Sequence, residues 1–221
     1  MEMHEDLFAA ITAGDLDAVR ALLTAHPDLV GARRSDGVSA VLAAVYQRRQ
    51  PIARLLVERG ALLDAFEASA VGEIARLEAA LAGDPAGLNR LSADGWTPLH
   101  LAAFFGQLKA AEILLARGAD PHVRSTNPTG NTALHAALAG GHALVAGVLI
   151  GAGADVNATS AGGWRPLHIA VANGQLDSVK ALIAQGADVD AVNDAGQTPL
   201  ALATQRGQKT VVEFLLRQGG V

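Results

Sequence analysis

An all-α solenoid of stacked helix pairs is the fold class this sequence predicts, and three observations carry that expectation. The second half of the chain repeats itself at a step of 33 residues. Apolar residues make up 50% of the chain while aromatics make up only 4%. The 24 glycines and 8 prolines are spread along it as punctuation and are not pooled in a linker. Self-similarity at such a period marks architectures in which each unit buries its apolar face on the next. A core of Ala, Leu, Val and Ile suits closely approaching helices better than a thick sandwich or a large aromatic-lined pocket. Disorder is excluded by the same composition, since there is ample apolar surface to offset chain entropy.

The recurrence can be followed residue by residue. Trp96-Thr97-Pro98-Leu99-His100 returns as Asn131-Thr132-Ala133-Leu134-His135, as Trp164-Arg165-Pro166-Leu167-His168 and as Gln197-Thr198-Pro199-Leu200-Ala201. A glycine follows each at a fixed distance, at Gly106, Gly141, Gly174 and Gly207, and a second series runs through Gly118, Gly153, Gly186 and Gly219. The first half holds a weaker copy. Moved by 58 positions, residues 7–61 fall on 65–119 without a gap, with Phe8 on Phe66, Gly14 on Gly72, Pro27 on Pro85 and Tyr46 on Phe104. Two irregular pairs of units and three regular units predict seven helical hairpins.

Each element of a unit has a physical reason. Thr97 stands where a hydroxyl caps free N–H groups at a helix start. Pro98 takes the first helical position, where its missing donor costs nothing. Leu99, Ala102 and Ala103 form the apolar stripe of a short helix, and Gly106 supplies the left-handed turn that ends it. A second helix buries Ile113, Leu114 and Leu115 and stops at Gly118. The polar run from Ala119 to Gly130 then forms a projecting turn before the next cap. Two departures are expected to show in the structure. The step from Gly118 to Gly153 is 35 residues, so the turn around Ser125-Thr126-Asn127-Pro128 should be longer than its neighbours. The stretch from Gly83-Asp84-Pro85 to Asp94 replaces a regular helix end, so the stack should be irregular there.

Gly-x-Thr-Pro-Leu-His, then Ala-Ala-x-x-Gly, then Leu-Leu-x-x-Gly-Ala-Asp at this period resembles the ankyrin repeat. The likeness is plain at 94–120, 131–155, 165–188 and 198–220. It is weaker at 36–61, where Ser39-Ala40-Val41-Leu42 replaces the motif and Arg48 replaces the glycine, and units 7–25 and 65–82 lack the cap motif. The resemblance implies one ankyrin repeat domain over 1–221, with units near 7–35, 36–63, 64–93, 94–127, 128–160, 161–193 and 194–221. It also implies that each unit adds a short β-hairpin finger and two antiparallel helices to an L-shaped stack.

Several function classes are disfavoured. The net charge is -5, so a phosphate backbone is repelled and nucleic acid is not an expected partner. The pairs Arg33-Arg34 and Arg48-Arg49 are too short to change that. There is no Cys, which removes disulfides and thiolate chemistry and suits a reducing cytoplasm. The N-terminal residues lack the basic start and apolar run of a signal peptide, and no apolar stretch is long enough to span a membrane. Acidic residues at Glu2, Glu5, Asp6, Asp15 and Asp17 give the first layer a polar outside, as the cap of a solenoid requires, and stacks with polar ends commonly stay monomeric.

Seven histidines invite a metal reading. His100, His135 and His168 recur one per layer, and packed helix layers stand about 8–10 Å apart, whereas zinc ligands lie within roughly 2 Å of the ion. The resemblance implies instead that they bond the adjacent finger backbone. Asp188-Val189-Asp190 with Asn193-Asp194 lacks the glycine and glutamate of a calcium loop and suits an ordinary turn. No nucleophile elbow, phosphate loop or dinucleotide motif is present. No catalytic, metal or cofactor residues are therefore expected, and an enzyme is not.

The eight aromatic residues point to a site. Phe8, Phe66 and Phe214 occupy motif or core positions. Trp96 and Trp164 stand just before the helix cap, Phe104 and Phe105 fill the two variable positions before Gly106, and Tyr46 matches Phe104. The resemblance places Tyr46, Trp96, Phe104, Phe105 and Trp164 on the concave face, where rings of this kind anchor interfaces. The competing expectation is that some of them merely cover the irregular junction around the third unit. The chain thus reads as a scaffold or inhibitor that holds a protein partner; the alternative is a regulatory module for a small molecule or a separately encoded enzyme.

Overall fold

The structure, a computed structural model, describes residues 2–220, with side chains from Met3 onward. Among the described residues fourteen α-helices run in seven successive pairs. They are α1 (Glu2–Ala13) and α2 (Leu16–Ala25), α3 (Ala40–Tyr46) and α4 (Gln50–Glu58), α5 (Ala65–Val71) and α6 (Ile74–Gly83), and α7 (Pro98–Phe104) and α8 (Leu108–Ala116). Then follow α9 (Ala133–Gly140) and α10 (Ala143–Gly151), α11 (Pro166–Ala172) and α12 (Leu176–Ala184), and α13 (Pro199–Gln205) and α14 (Lys209–Arg217). Odd-numbered helices pack on one another in one layer, and even-numbered helices back them in a second. This is the all-α stack that the repeat period predicts.

Most inner helices are only seven residues long, far too short to persist alone, so packing and caps must hold them. Ala102, Ala103, Ala136, Ala137 and Ala170 are fully buried, and their small size lets the layers approach closely. Thr97 Oγ1 accepts the His100 N–H at 3.3 Å and caps α7, with Pro98 as its first residue. Ser39 caps α3 through the Leu42 N–H, and Asp64 caps α5 through the N–H groups of Phe66 and Glu67. Gly106 ends α7 at φ 72°, a left-handed turn. Arg48 holds the same place after α3 at φ 56°, the one non-glycine residue with positive φ among those described.

The fingers are tight turns and not extended strands; the one β-bridge among the described residues pairs Arg33 with Ser39. Each is closed by a backbone bond across its base: Ser92 N to Trp96 O at 2.8 Å, Ser125 N to Asn131 O at 2.8 Å, and Ser160 N to Trp164 O at 2.7 Å. Neighbouring fingers are also joined sideways, by Thr126 N to Gly95 O at 3.1 Å, Ala161 N to Thr129 O at 2.8 Å and Asp194 N to Gly162 O at 2.9 Å. The connection 117–132 is longer than 152–165 and 185–198, as the extra residues there predict. Only residues 59–64 join α4 to α5, so the third unit has no finger. The expected irregularity near Pro85 takes the form of a 3-10 turn at Pro85–Asn89, matched by another at Pro27–Gly31.

Two buried apolar clusters make up the core. One gathers α1 to α4 with Ala70 and Leu101, and includes Leu7, Ile11, Val45 and Leu56. The other begins at Ala65 in α5 and runs through Leu99, Leu114, Leu134 and Leu149 to Leu215 in α14. The two interlock across the third and fourth units, beside the place where the finger is missing.

Candidate protein-binding surface

The recurring histidines are structural ties. His100 Nδ1 lies 2.7 Å from Thr97 Oγ1, and its Nε2 lies 2.9 Å from Asn131 O in the next finger. His135 repeats this with Thr132 Oγ1 at 2.8 Å and Trp164 O at 3.3 Å, and His168 Nε2 meets Ala191 O at 3.0 Å. A carbonyl can only accept, so Nε2 carries the proton and Nδ1 accepts. Burial lowers the pKa of all three below the ordinary 6.5, His135 to about 4, although the carbonyl bonds pull the other way. Each ring is held neutral, one per layer, as a tie between adjacent units.

Four of the five rings singled out from the sequence form one continuous run. Tyr46 meets Phe105 with centroids 5.7 Å apart, Phe105 meets Phe104 edge-on at 5.1 Å, and Phe104 meets Trp96 edge-on at 5.2 Å. These distances and tilts are those of favourable aromatic contacts. The run crosses from the second unit to the fourth, over the place where the third unit lacks a finger. All four rings are half-buried. Trp96 rests on both core clusters and Phe105 on the first, so removing either ring sacrifices packing as well as exposed surface. Trp164 is half-buried too but stands apart, against His168 at 6.0 Å.

A polar layer that sequence reasoning missed lies under the run. The Tyr46 hydroxyl donates to the Asp94 carboxylate, which also accepts from Ser92 Oγ. Burial and the Asp94 charge hold that phenol protonated far above its usual range. Glu67, fully buried, accepts from Arg33 Nη2 at 2.9 Å and from the Asp64 N–H at 3.0 Å. Glu67 stands three residues after its cap Asp64, the slot that His100 holds after Thr97. That correspondence could have been found in the sequence; its partner Arg33, in a finger 34 positions away, could not.

Two hollows open between the fingers and the inner helices, one on either side of the aromatic run. The first, about 930 Å³, has an apolar floor of Phe8, Ala9, Ala13, Ala43 and Tyr46, with Arg33, Arg34 and Glu5 at its edge. The second, about 520 Å³, is lined by Trp164, Ala139, Ile169, Ala172, Asn173 and finger residues, and carries no charged side chain. Tyr46 and Trp164 thus line a hollow each, while Trp96, Phe104 and Phe105 line neither.

A stack of capped helix pairs tied finger to finger defines a repeat protein, and comparison with known proteins gives the family. The family of Ankyrin repeats (3 copies) matches residues 65–160, 121–193 and 148–221. The chain belongs to the ankyrin-repeat family, whose repeats are protein–protein interaction modules. Among curated relatives it is 35% identical over 118 residues to the Nuclear factor NF-kappa-B p105 subunit of Gallus gallus, covering 53% of this chain and 10% of the relative. It is 36% identical over 122 residues to Ankyrin repeat and SAM domain-containing protein 6 of Mus musculus, covering 55% and 11%. With Ankyrin repeat and SOCS box protein 3 of Homo sapiens it shares 34% over 67 residues, covering 30% and 13%. The chain therefore spans little more than a tenth of the length of these relatives. No helix among the described residues is long and apolar enough to cross a membrane.

Proposed function

We propose that this chain is a non-catalytic scaffold or inhibitor that holds a protein partner on the finger side of its inner helices, through Tyr46, Trp96, Phe104 and Phe105, with Trp164 as a second anchor. The observation that supports it best is the continuous run of half-exposed rings between two hollows. A whole ring of this kind buries about 150–250 Å², and the exposed part of each contributes to an interface near 800 Å² per partner. In this reading the chain acts in the cytoplasm as a monomer, uses no cofactor, and engages neither nucleic acid nor membrane. The test is an affinity pull-down from native lysate, comparing wild type with a Trp96→Ala/Phe105→Ala double variant whose folding is checked by urea titration. Loss of one co-purifying protein by a folded double variant is expected. Capture unchanged by the double variant rejects these rings as the site.

A second reading is a regulatory module for a small molecule, and the first hollow favours it, since its volume falls within the range of ligand pockets. A thermal-shift screen of metabolites separates the two. A hit abolished by Phe8→Ala, with protein capture intact, supports the small-molecule reading.

A further inference from the structure

The junction of α1 to α4 with the rest of the stack is a seam of unusual make-up, bridged in the core by Ala70 of α5 and Leu101 of α7, which belong to the first cluster. Elsewhere in the fingered stack, adjacent units share backbone bonds between fingers, as at Ala161 N to Thr129 O. Among the described residues no backbone–backbone hydrogen bond joins residues 2–58 to residues 65–220. The outer helices α4 and α6 touch only sparsely, whereas α2 meets α4 and α8 meets α10. Besides the apolar contacts of Ala70 and Leu101, the seam is crossed by side-chain bonds and rings. Arg33 reaches Glu67, Arg76 donates to Ala61 O at 3.0 Å and Val57 O at 3.4 Å, and Tyr46 reaches Asp94 and Phe105.

The facing surface of α5 is mixed: Ala70 joins the first cluster and Phe66 and Val71 pack against it, but the helix also places Glu67 and Ser69 at zero exposure, with the Ser69 hydroxyl making no hydrogen bond. Buried polar groups without full compensation weaken an interface. The match to the family also begins at Ala65, the first residue of α5, so the units before it are those least like a regular repeat. In a layered stack, stability is a sum of unit and interface contributions, and the weakest interface opens first.

We propose that the first two units, α1 to α4, open as one block from α5 to α14, and that the Arg33–Glu67 contact is the latch of this seam. Opening parts Tyr46 from Phe105, so the aromatic surface is whole only while the latch is closed; that consequence rests on the binding reading above, whereas the seam itself does not.

Glu67 gives the latch a pH dependence. The groups that face it are Arg33 and the Ser39 hydroxyl from the preceding finger, Asp64 from its own cap, and Tyr46, with Asp94 across the same small cavity. Burial raises its pKa from 4.5 to about 7, helped by Asp64 and opposed by Arg33. A carboxyl whose folded pKa is raised contributes stability that is fully present below 4.5 and is lost as pH rises through about 7. The seam should therefore loosen as pH rises from about 4.5 to about 7, so that it is tighter at pH 6 than at pH 8.

Native-state hydrogen exchange on the full chain in dilute urea, followed by mass spectrometry and corrected for intrinsic rates, tests this. Amides of α1 to α4 should exchange together, about tenfold or more faster than those of α7 to α12, with a wider ratio at pH 8 than at pH 6. Glu67→Gln should make the ratio equal at the two pH values. Tyr46→Phe, which removes only the hydroxyl bond to Asp94, should speed α1 to α4 and leave α9 to α12 unchanged. A common rate for both groups of helices overturns the proposal, and a pH dependence that survives Glu67→Gln removes Glu67 as the latch. Neither result needs a partner, so failure here leaves the binding reading standing.

Discussion

The fourth to sixth units and the third unit fill the same slot, three residues after the inner-helix cap, in opposite ways. His100, His135 and His168 reach forward to the carbonyls of the next finger as neutral rings. Glu67 reaches back to the guanidinium of the preceding finger as a buried acid. A neutral imidazole offers one donor and one acceptor and finds both partners locally, so nothing charged is desolvated. A carboxylate in that slot needs a cation, and Arg33 is about half exposed, so its attraction offsets burial only in part. The comparison teaches that the periodic half of the stack is tied by neutral, repeatable contacts and the irregular half by charged, singular ones. The two therefore respond to pH in opposite directions.

Four substitutions test that contrast. The largest effect should come from the core. Leu114→Ala and Leu56→Ala each empty a fully buried site and should cost on the order of 2–5 kcal/mol. If the two clusters are separate, Leu56→Ala lowers only the protection of α1 to α4 in urea-dependent exchange, while Leu114→Ala lowers that of α7 to α12. Equal spread of both effects would merge the two regions into one.

Acid titration of the periodic half comes next. His135 has a folded pKa of about 4 against an ordinary 6.5, so the stability it contributes is present above 6.5 and is lost as pH falls towards 4. At about 1.4 kcal/mol per pKa unit the swing from this group is roughly 3 kcal/mol. Chemical denaturation at pH 7 and pH 4.5 should show the loss for α7 to α12, and His135→Gln should reduce it. A His135 ring seen by NMR to titrate near 6.5 would contradict its burial as a neutral tie.

The smallest effect concerns the irregular half alone. Arg48 sits at φ 56°, where a Cβ is strained and its counterparts are glycine. Arg48→Gly should stabilise the first block by up to about 1 kcal/mol, read as a higher urea midpoint for α1 to α4. A loss instead would mean that the Arg48 side chain holds the turn.

Much of the architecture is legible in the residues themselves. The period announces the stack, the cap-Pro-Leu-His run and its variants place the inner helices of the fourth to seventh units, and the two extra residues near Pro128 give the longer finger. The aromatic positions are legible too, because their places in the unit are fixed by counting. Their degree of burial is not. Whether Trp96 projects or rests on both clusters depends on the gap left by the absent third finger. The same gap lets Tyr46 reach Phe105 across a whole unit.

The class of fold, the spacing of the repeated motifs and the neutral ties between layers can be read from the residues alone, because each follows from contacts at a constant spacing along the chain. Only the tertiary structure decided how the first two units meet the rest, since Arg33 with Glu67, Tyr46 with Asp94 and Arg76 with Ala61 pair residues whose separations obey no period. Local rules repeat and can be counted; a single long-range junction is settled by which side chains are left to face each other once the layers have stacked.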